Sequence, residues 1–426
     1  MNKLFVFALP LLFICQNLSG DNWPQWRGVH LDSISNETNL PSSLNEKNRL
    51  WRFEMPGPGG SSPIVWDDKI FVASVAGKDL VLLCVGTDGD LKWKQKLDGG
   101  NSKGFMDNSN SASASPVTDG EHVWIMLTPG IVHCFDMDGN LVWKKDMQKE
   151  YGQFRIQFGM SSTPVLEDGR LFFQFIHGSM KSSTSSVGKL VALEAKSGDE
   201  VWVHTRKTPG IAENKHSYTS PVIFKNDERQ FLVVHGADYV TGHSLKDGKE
   251  LWRVGGFNPK STYNKFLRFV SSPVCTENMI VVPSAKSGPV FALDPNLSGK
   301  INSGDEGIKW QLKRGTPDVA SPVVSEDRVY LARENGVLIC LDASSGKKIY
   351  EERVMSGKHR GTPVIADGKV YVIARNGEAL VIADQKEFKL ISKNDLGEDT
   401  TASPAISNGR VYVRTNKSLI AFGEKK

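Results

Sequence analysis

The sequence has little that would mark it as catalytic or as nucleic-acid-binding. Its 52 basic and 48 acidic residues leave a formal net charge of +4 over 426 residues, too even a balance to argue for a nucleic-acid partner. Five cysteines are present without a C-x-x-C or C-x-x-C-H, so neither a zinc ribbon nor a c-type haem site is indicated. The nine histidines form no H-E-x-x-H. There is also no G-x-S-x-G elbow and no P-loop, which leaves hydrolase and nucleotide readings without support. Beyond the first 14 residues, no apolar run is long enough to cross a bilayer as a helix.

The first run, Leu4 to Ile14 after Lys3, is too short to span a membrane and is followed by small and polar residues. It predicts a secretory signal peptide over 1–20, cleaved near Gly20, and a periplasmic or secreted protein. Cys15 follows Ile14, where a lipoprotein signal carries a small residue, so lipidation is not expected. Of the remaining cysteines, Cys84, Cys134 and Cys340 fall in one recurring slot that elsewhere holds Ala192, Gly242 or Ala292. A slot restricted to small residues predicts buried free thiols rather than disulfides.

That slot belongs to a repeat. A Ser/Thr-Pro pair followed by an apolar residue occurs at Pro63, Pro116, Pro164, Pro221, Pro273, Pro322, Pro363 and Pro404, with spacings of 53, 48, 57, 52, 49, 41 and 41. A turn such as Asp168-Gly169 or Asn408-Gly409 comes a few residues later, and runs such as "RLFFQF" and "RVYVRT" follow it. The first six repeats then give a third run, a Gly turn and a fourth run carrying an aromatic: Trp93, Trp143, Trp202, Trp252, Trp310 and Tyr350. Four short antiparallel strands in roughly 40–50 residues predict a propeller blade. The eighth copy lacks a fourth strand, while "RLWRF" with Trp51 stands unpartnered ahead of the first. The expectation is an all-β, eight-bladed propeller over 50–426, its ring closed by that N-terminal strand. The polar extension 21–49 is expected to be pinned to the ring by Trp23 and Trp26.

The phrases "LEAKSGDEVW" (193–202), "SLKDGKELW" (244–252) and "LDASSGKKIY" (341–350) resemble the docking motif of the pyrroloquinoline-quinone (PQQ) repeat propellers. The resemblance covers all eight repeats. It implies that each outer-strand aromatic docks its blade on the next. That family includes quinoprotein dehydrogenases and the non-enzymatic propeller lipoprotein of the outer-membrane β-barrel assembly machinery. In the dehydrogenases the quinone lies between a Trp floor and a disulfide of adjacent cysteines, with a Glu/Asn/Asp set on Ca²⁺ and an Asp base. This chain has no adjacent cysteines, no Trp opening an inner strand and no Asp set that maps onto the catalytic motif. The expectation is therefore a non-catalytic binding or scaffold module with no cofactor, and a PQQ- and calcium-dependent dehydrogenase is the alternative.

Three further readings concern ligands. "DPNLSGKINSGD" (294–305) follows a Ca²⁺-loop spacing through Asp294, Asn296, Ser298 and Asp305, a composition that an ordinary hairpin shares. The residues preceding each Ser/Thr-Pro should rim one mouth of the central channel. Among them Arg155, His216, Arg268 and Arg360 are the candidate binding residues, in company with Gln157, Lys215, Tyr218, Lys265, Asp318, His359, Glu398 and Asp399. A carbohydrate platform would need Tyr218, Tyr263, Phe266 and Phe269 at that mouth. The expected partner is a protein or small molecule on a propeller face, bound by a monomer.

Overall fold

The computed structural model describes residues 21–102, 110–181, 183–302 and 304–425. The expected leader and Cys15 lie outside these residues. The chain forms eight consecutive sheets, each built on four antiparallel strands and arranged as the blades of a propeller; two of them carry a fifth, parallel strand among the described residues. The middle strands of each blade are mostly apolar and buried on both faces, as in Lys69–Ala76 and Asp79–Gly86, because neighbouring blades cover both of their faces. Outer strands such as Leu91–Leu97 are mostly exposed, since they form the rim. The tight turns follow from residue choice: Asp168-Gly169, Asp367-Gly368 and Asn408-Gly409 all adopt positive φ, as a two-residue hairpin turn requires.

The ring closes as the repeat arithmetic requires. Arg49–Glu54 pairs antiparallel with Ser418–Gly423 and supplies the outer strand of the eighth blade, so the two ends of the ring sit in one sheet. A sheet completed this way leaves no open edge at the seam.

The Ser/Thr of the repeat marker has a definite role in that closure. The backbone N–H of each marker residue donates to the hydroxyl of the next blade's marker residue. The donors run from Ser62 through Ser115, Thr163, Ser220, Ser272, Ser321 and Thr362 to Ser403, whose N–H returns to Ser62. These donor–acceptor distances lie between 2.9 and 3.1 Å and form an unbroken circle around the channel. Each such bond contributes a net ~0.5–1.5 kcal/mol.

The outer rim is tied by the aromatics. The indole N–H groups of Trp51, Trp93, Trp143, Trp202 and Trp310 donate across the seam to Thr87, Met137, Ala195, Leu245 and Ala343 carbonyls, at 2.7–3.0 Å. Each ring lies on a glycine of the neighbouring blade. A Cβ at Gly248, for example, would come within 2.6 Å of Trp202, and that glycine's φ is +71°. A bulge beside each aromatic re-aims its strand, and the cross-strand partner is the small slot: Cys84 faces Trp93, Cys134 faces Trp143 and Cys340 faces Tyr350. Cys84, Cys134 and Cys340 are buried free thiols, and Cys275 is half-buried.

Two aromatics depart from this pattern. Trp252 makes no indole hydrogen bond to the fifth blade; it packs over Gly242 of its own blade, where a Cβ would lie 2.2 Å from its Nε1, and that nitrogen has no hydrogen-bond partner. The cause is the insertion in the fifth repeat. Its Gly299–Ile301 segment adds as a parallel fifth strand against Trp252–Val254, and Arg229 fastens it by donating to the Pro295 and Leu297 carbonyls. Tyr350 does meet the next blade, but through an edge-on contact with Phe388 at 5.6 Å. Beside it, Asp384 of that blade accepts from Arg328, Tyr330 and Ser325, which replaces the indole bond with a carboxylate tie.

Candidate functional site

The topology gives the ring two unlike faces. Connections from each outer strand to the next inner strand, and from each second strand to the third, open on one face, the mouth. The tight turns form the opposite face.

From the turn face the extension runs into the channel. Trp23 exchanges both backbone hydrogen bonds with Val65 of the first blade, and the Pro24 carbonyl accepts from Thr118 of the second. The Gln25 side chain accepts from Leu166 of the third blade. Arg27 then crosses the axis. Its guanidinium donates to the carbonyls of Pro273 at 2.7 Å and Pro322 at 3.0 Å, and to Ser33 Oγ at 3.1 Å. Trp26 donates to Ser403 of the hydroxyl circle at 3.3 Å, and Ile34–Ser35 pairs in parallel with Ile365–Ala366 of the seventh blade. Arg27 is 1% exposed, and burial brings its pKa down to about 10. A tryptophan anchor was expected from the sequence. Its place inside the channel was not, because the acceptors are backbone carbonyls that carry no sequence signature.

On the mouth face the four candidate residues do not converge. Arg155 is exposed. His216 is buried with Nε2 against the Gly178 carbonyl at 2.9 Å, and burial lowers its pKa. Its neighbour Lys215 donates to the Ser179 and Lys181 carbonyls at 2.9 Å, so both side chains serve to pin the Ser/Gly-rich hairpin tip of the third blade. Arg268 lies over the Phe158 ring at 5.2 Å and reaches Glu213 at 3.6 Å. Arg360 donates to Glu334 at 2.8 Å.

Glu334 is also approached by Lys286 at 3.4 Å and Lys358 at 3.8 Å, and Lys286 continues to Asp318 at 3.8 Å. Burial, reinforced by Glu334, raises the pKa of Asp318. Burial acts in the same sense on Glu334, but its hydrogen bond with Asp318 and the charges of Arg360 and Lys286 hold it below the usual carboxylate range. The basic rim is thus a chain of ion pairs, with its charge largely spent on its own carboxylates. Next to this cluster, on the seventh and eighth blades, Asn376, Asp395, Glu398, Asp399, Asn416 and Lys417 line a cavity of 450 Å³. Of its carboxylates, Glu398 is held by Arg52 at 2.7 Å.

The aromatic platform does not assemble. Phe266 is 58% exposed, but Phe269 is buried against His235, Tyr218 is buried, and Tyr263 donates to Asp238 at 2.8 Å. The calcium-like loop is likewise otherwise engaged. Asp294 accepts from the Asn296 N–H and pairs with Lys309, Asp305 accepts from the Asn302 N–H, and the stretch between them forms the strand on the fourth blade. Among the described residues, Asp119, Glu121 and His122 gather potential metal-binding atoms. Asp119 accepts from the backbone N–H groups of the other two, however, and Glu121 pairs with Lys196. No helix among the described residues is long and apolar enough to cross a membrane.

Comparison with known proteins agrees with this architecture. Among solved structures, the quinohemoprotein alcohol dehydrogenase from Comamonas testosteroni superposes with a TM-score of 0.73 at 13% identity, over 95% of this chain and 81% of that one. A europium-containing methanol dehydrogenase gives 0.71 at 11% identity, over 94% and 90%. BamB from Moraxella catarrhalis gives 0.61 at 14% identity, over 88% and 97%. At such identities the likeness is one of fold. A search of curated proteins finds no match. The family model described as "Outer membrane protein assembly factor BamB" matches residues 128–303 and 299–389, and the chain therefore belongs to this family of PQQ-like propellers.

Proposed function

We propose that the protein is an exported, non-catalytic propeller that acts as a monomeric binding or scaffold module in the cell envelope, engaging a partner on its mouth face. The observation that carries this reading is the channel itself. Its turn-face half is filled by the chain's own Trp23–Ser35, and at its other end Arg268 is paired with Glu213 and Arg360 with Glu334. The description of the matched family as an assembly factor supports the same direction.

The competing reading is a PQQ-dependent dehydrogenase, favoured by the two dehydrogenases of the same fold. The residues present do not fit the quinone. The described cysteines lie on separate blades, so no disulfide of adjacent cysteines can form the lid. The mouth carboxylates Glu213, Asp318, Glu334 and Glu398 are each engaged by an arginine or lysine rather than gathered as a calcium set.

The two readings separate in one assay. Purified protein mixed with PQQ and Ca²⁺ should not reduce an acceptor dye with alcohols or sugars. Sustained dye reduction that is lost in Arg268→Ala and Arg360→Ala would overturn the scaffold reading. Capture of a defined partner from envelope extract, weakened by substitutions at exposed mouth residues such as Arg155 and Phe266, would support it.

A further inference from the structure

The extension and the channel meet as a peptide meets a binding groove. The inner strand of every blade has one edge facing the axis, with no further strand beyond it. Such edges recruit extended segments through main-chain hydrogen bonds. Here the N–H groups of Val65, Thr118, Leu166 and Ile365 are taken by Trp23, Pro24, Gln25 and Ser33, and the Pro273 and Pro322 carbonyls are taken by Arg27. Side chains add anchors. Trp23 is 2% exposed and packs over Gly28, while Leu31 joins the core between the third, fourth and fifth blades. The recognition is therefore mostly to backbone, with a tryptophan and an arginine setting register.

Two features separate this segment from the ring. Arg27, Leu31 and Ser33 have φ of 74°, 58° and 65°, conformations that the surroundings impose at a cost. The segment is also joined to the rest of the chain through exposed Asn36, Thr38 and Asn39, with Glu37 among them accepting from the Asn408 and Gly409 N–H groups.

We propose that Asn22–Ser35 is a peptide ligand held in cis, an autoinhibitory plug, and that the channel is a binding site for an extended segment carrying tryptophan and arginine at this spacing. The plug opens as a unit while the ring stays folded, and whatever enters the channel from the turn face must displace it.

The chain carries its own reporter of that opening. Cys275, on the inner strand of the fifth blade, is half-buried and packs in the same cluster as Leu31. Burial pushes its thiol up to about 12, with Arg27 and Asp32 of the plug as its charged neighbours. Cys84, Cys134 and Cys340 are buried within blades and serve as internal controls.

The test is site-resolved alkylation of the full chain, read by mass spectrometry. Arg27→Ala should raise the rate at Cys275 at least tenfold and leave Cys84, Cys134, Cys340 and the far-UV circular dichroism unchanged. A synthetic peptide of residues 21–36 added in excess should restore protection of Cys275 in that variant, and the same peptide with alanine at the arginine should not. The proposal is overturned if Cys275 is no faster in Arg27→Ala, if Cys84, Cys134, Cys275 and Cys340 become reactive together, or if the two peptides protect equally. Should the variant fail to fold, hydrogen exchange in the wild-type chain decides. The amides of Val65, Thr118, Leu166 and Ile365 must then exchange together and faster than the core strands. Exchange only with global unfolding would sink the idea.

Discussion

Two tryptophans at equivalent repeat positions should respond to the same substitution in opposite order to their burial. Trp202 is 8% exposed and Trp252 is 1% exposed, so a burial argument alone ranks Trp252→Phe as the costlier change. The hydrogen bonds reverse that ranking. Trp202→Phe deletes the 2.9 Å bond to the Leu245 carbonyl and strands its acceptor, which together with weaker packing over Gly248 amounts to about 2 kcal/mol. Trp252→Phe removes a buried N–H that has no partner, relieving a desolvation penalty of ~1–3 kcal/mol. That relief offsets the ~1 kcal/mol by which a smaller ring reduces apolar burial, so the net change should lie within about 1 kcal/mol of zero or be stabilising. Urea unfolding followed by far-UV circular dichroism provides the comparison, with the midpoints read at unchanged slope. A Trp252→Phe variant that loses more stability than Trp202→Phe would refute the claim that the fifth-blade insertion turned this residue away from docking.

The hydroxyl circle predicts that Ser403→Ala costs ~1–3 kcal/mol, because the Thr362 N–H and the Trp26 indole are both deprived of their acceptor. Ser403→Thr, already tolerated at Thr163 and Thr362, should cost under half as much in the same urea assay. Trp51→Ala should weaken the closing seam by about 2–4 kcal/mol, the lower range for a partly exposed tryptophan, and limited proteolysis should then cut first near Arg49–Glu54. Burial holds His177 and His359 to about 4 and His235 and His243 to about 3. The unfolded chain therefore binds more protons below its histidine pKa of about 6.5, and stability should fall with acidification from pH 6.5 toward 4, by at most ~1.4 kcal/mol per unit for each histidine. The raised pKa of Asp318 acts in the opposite sense, so Asp318→Asn should steepen that acid loss; thermal melts from pH 7 to 4.5 measure both.

The blade count, the turn positions and the closing strand were all legible in the sequence, because each depends on local periodicity and on residues with special backbone preferences. Asp168-Gly169 marks a turn wherever it occurs, and eight copies with seven fourth strands leave one strand to be supplied from elsewhere. The small slot of Cys84, Cys134 and Cys340 was legible too, although its reason, the aromatic across the strand pair, was not. What the tertiary structure alone decided is where non-repeated residues meet. The pairing of Arg268 with Glu213 and of Arg360 with Glu334 took two of the four candidate binding residues into ion pairs, since separations along the chain carry no information about which loops of a closed ring face each other. The same holds for Trp252, whose docking phrase is intact but whose neighbour acquired a strand 47 residues further on, at Gly299. It holds most of all for Arg27. Its partners are two proline carbonyls 246 and 295 residues away, groups that every residue possesses and that become a binding site only when eight inner strands are drawn around one axis.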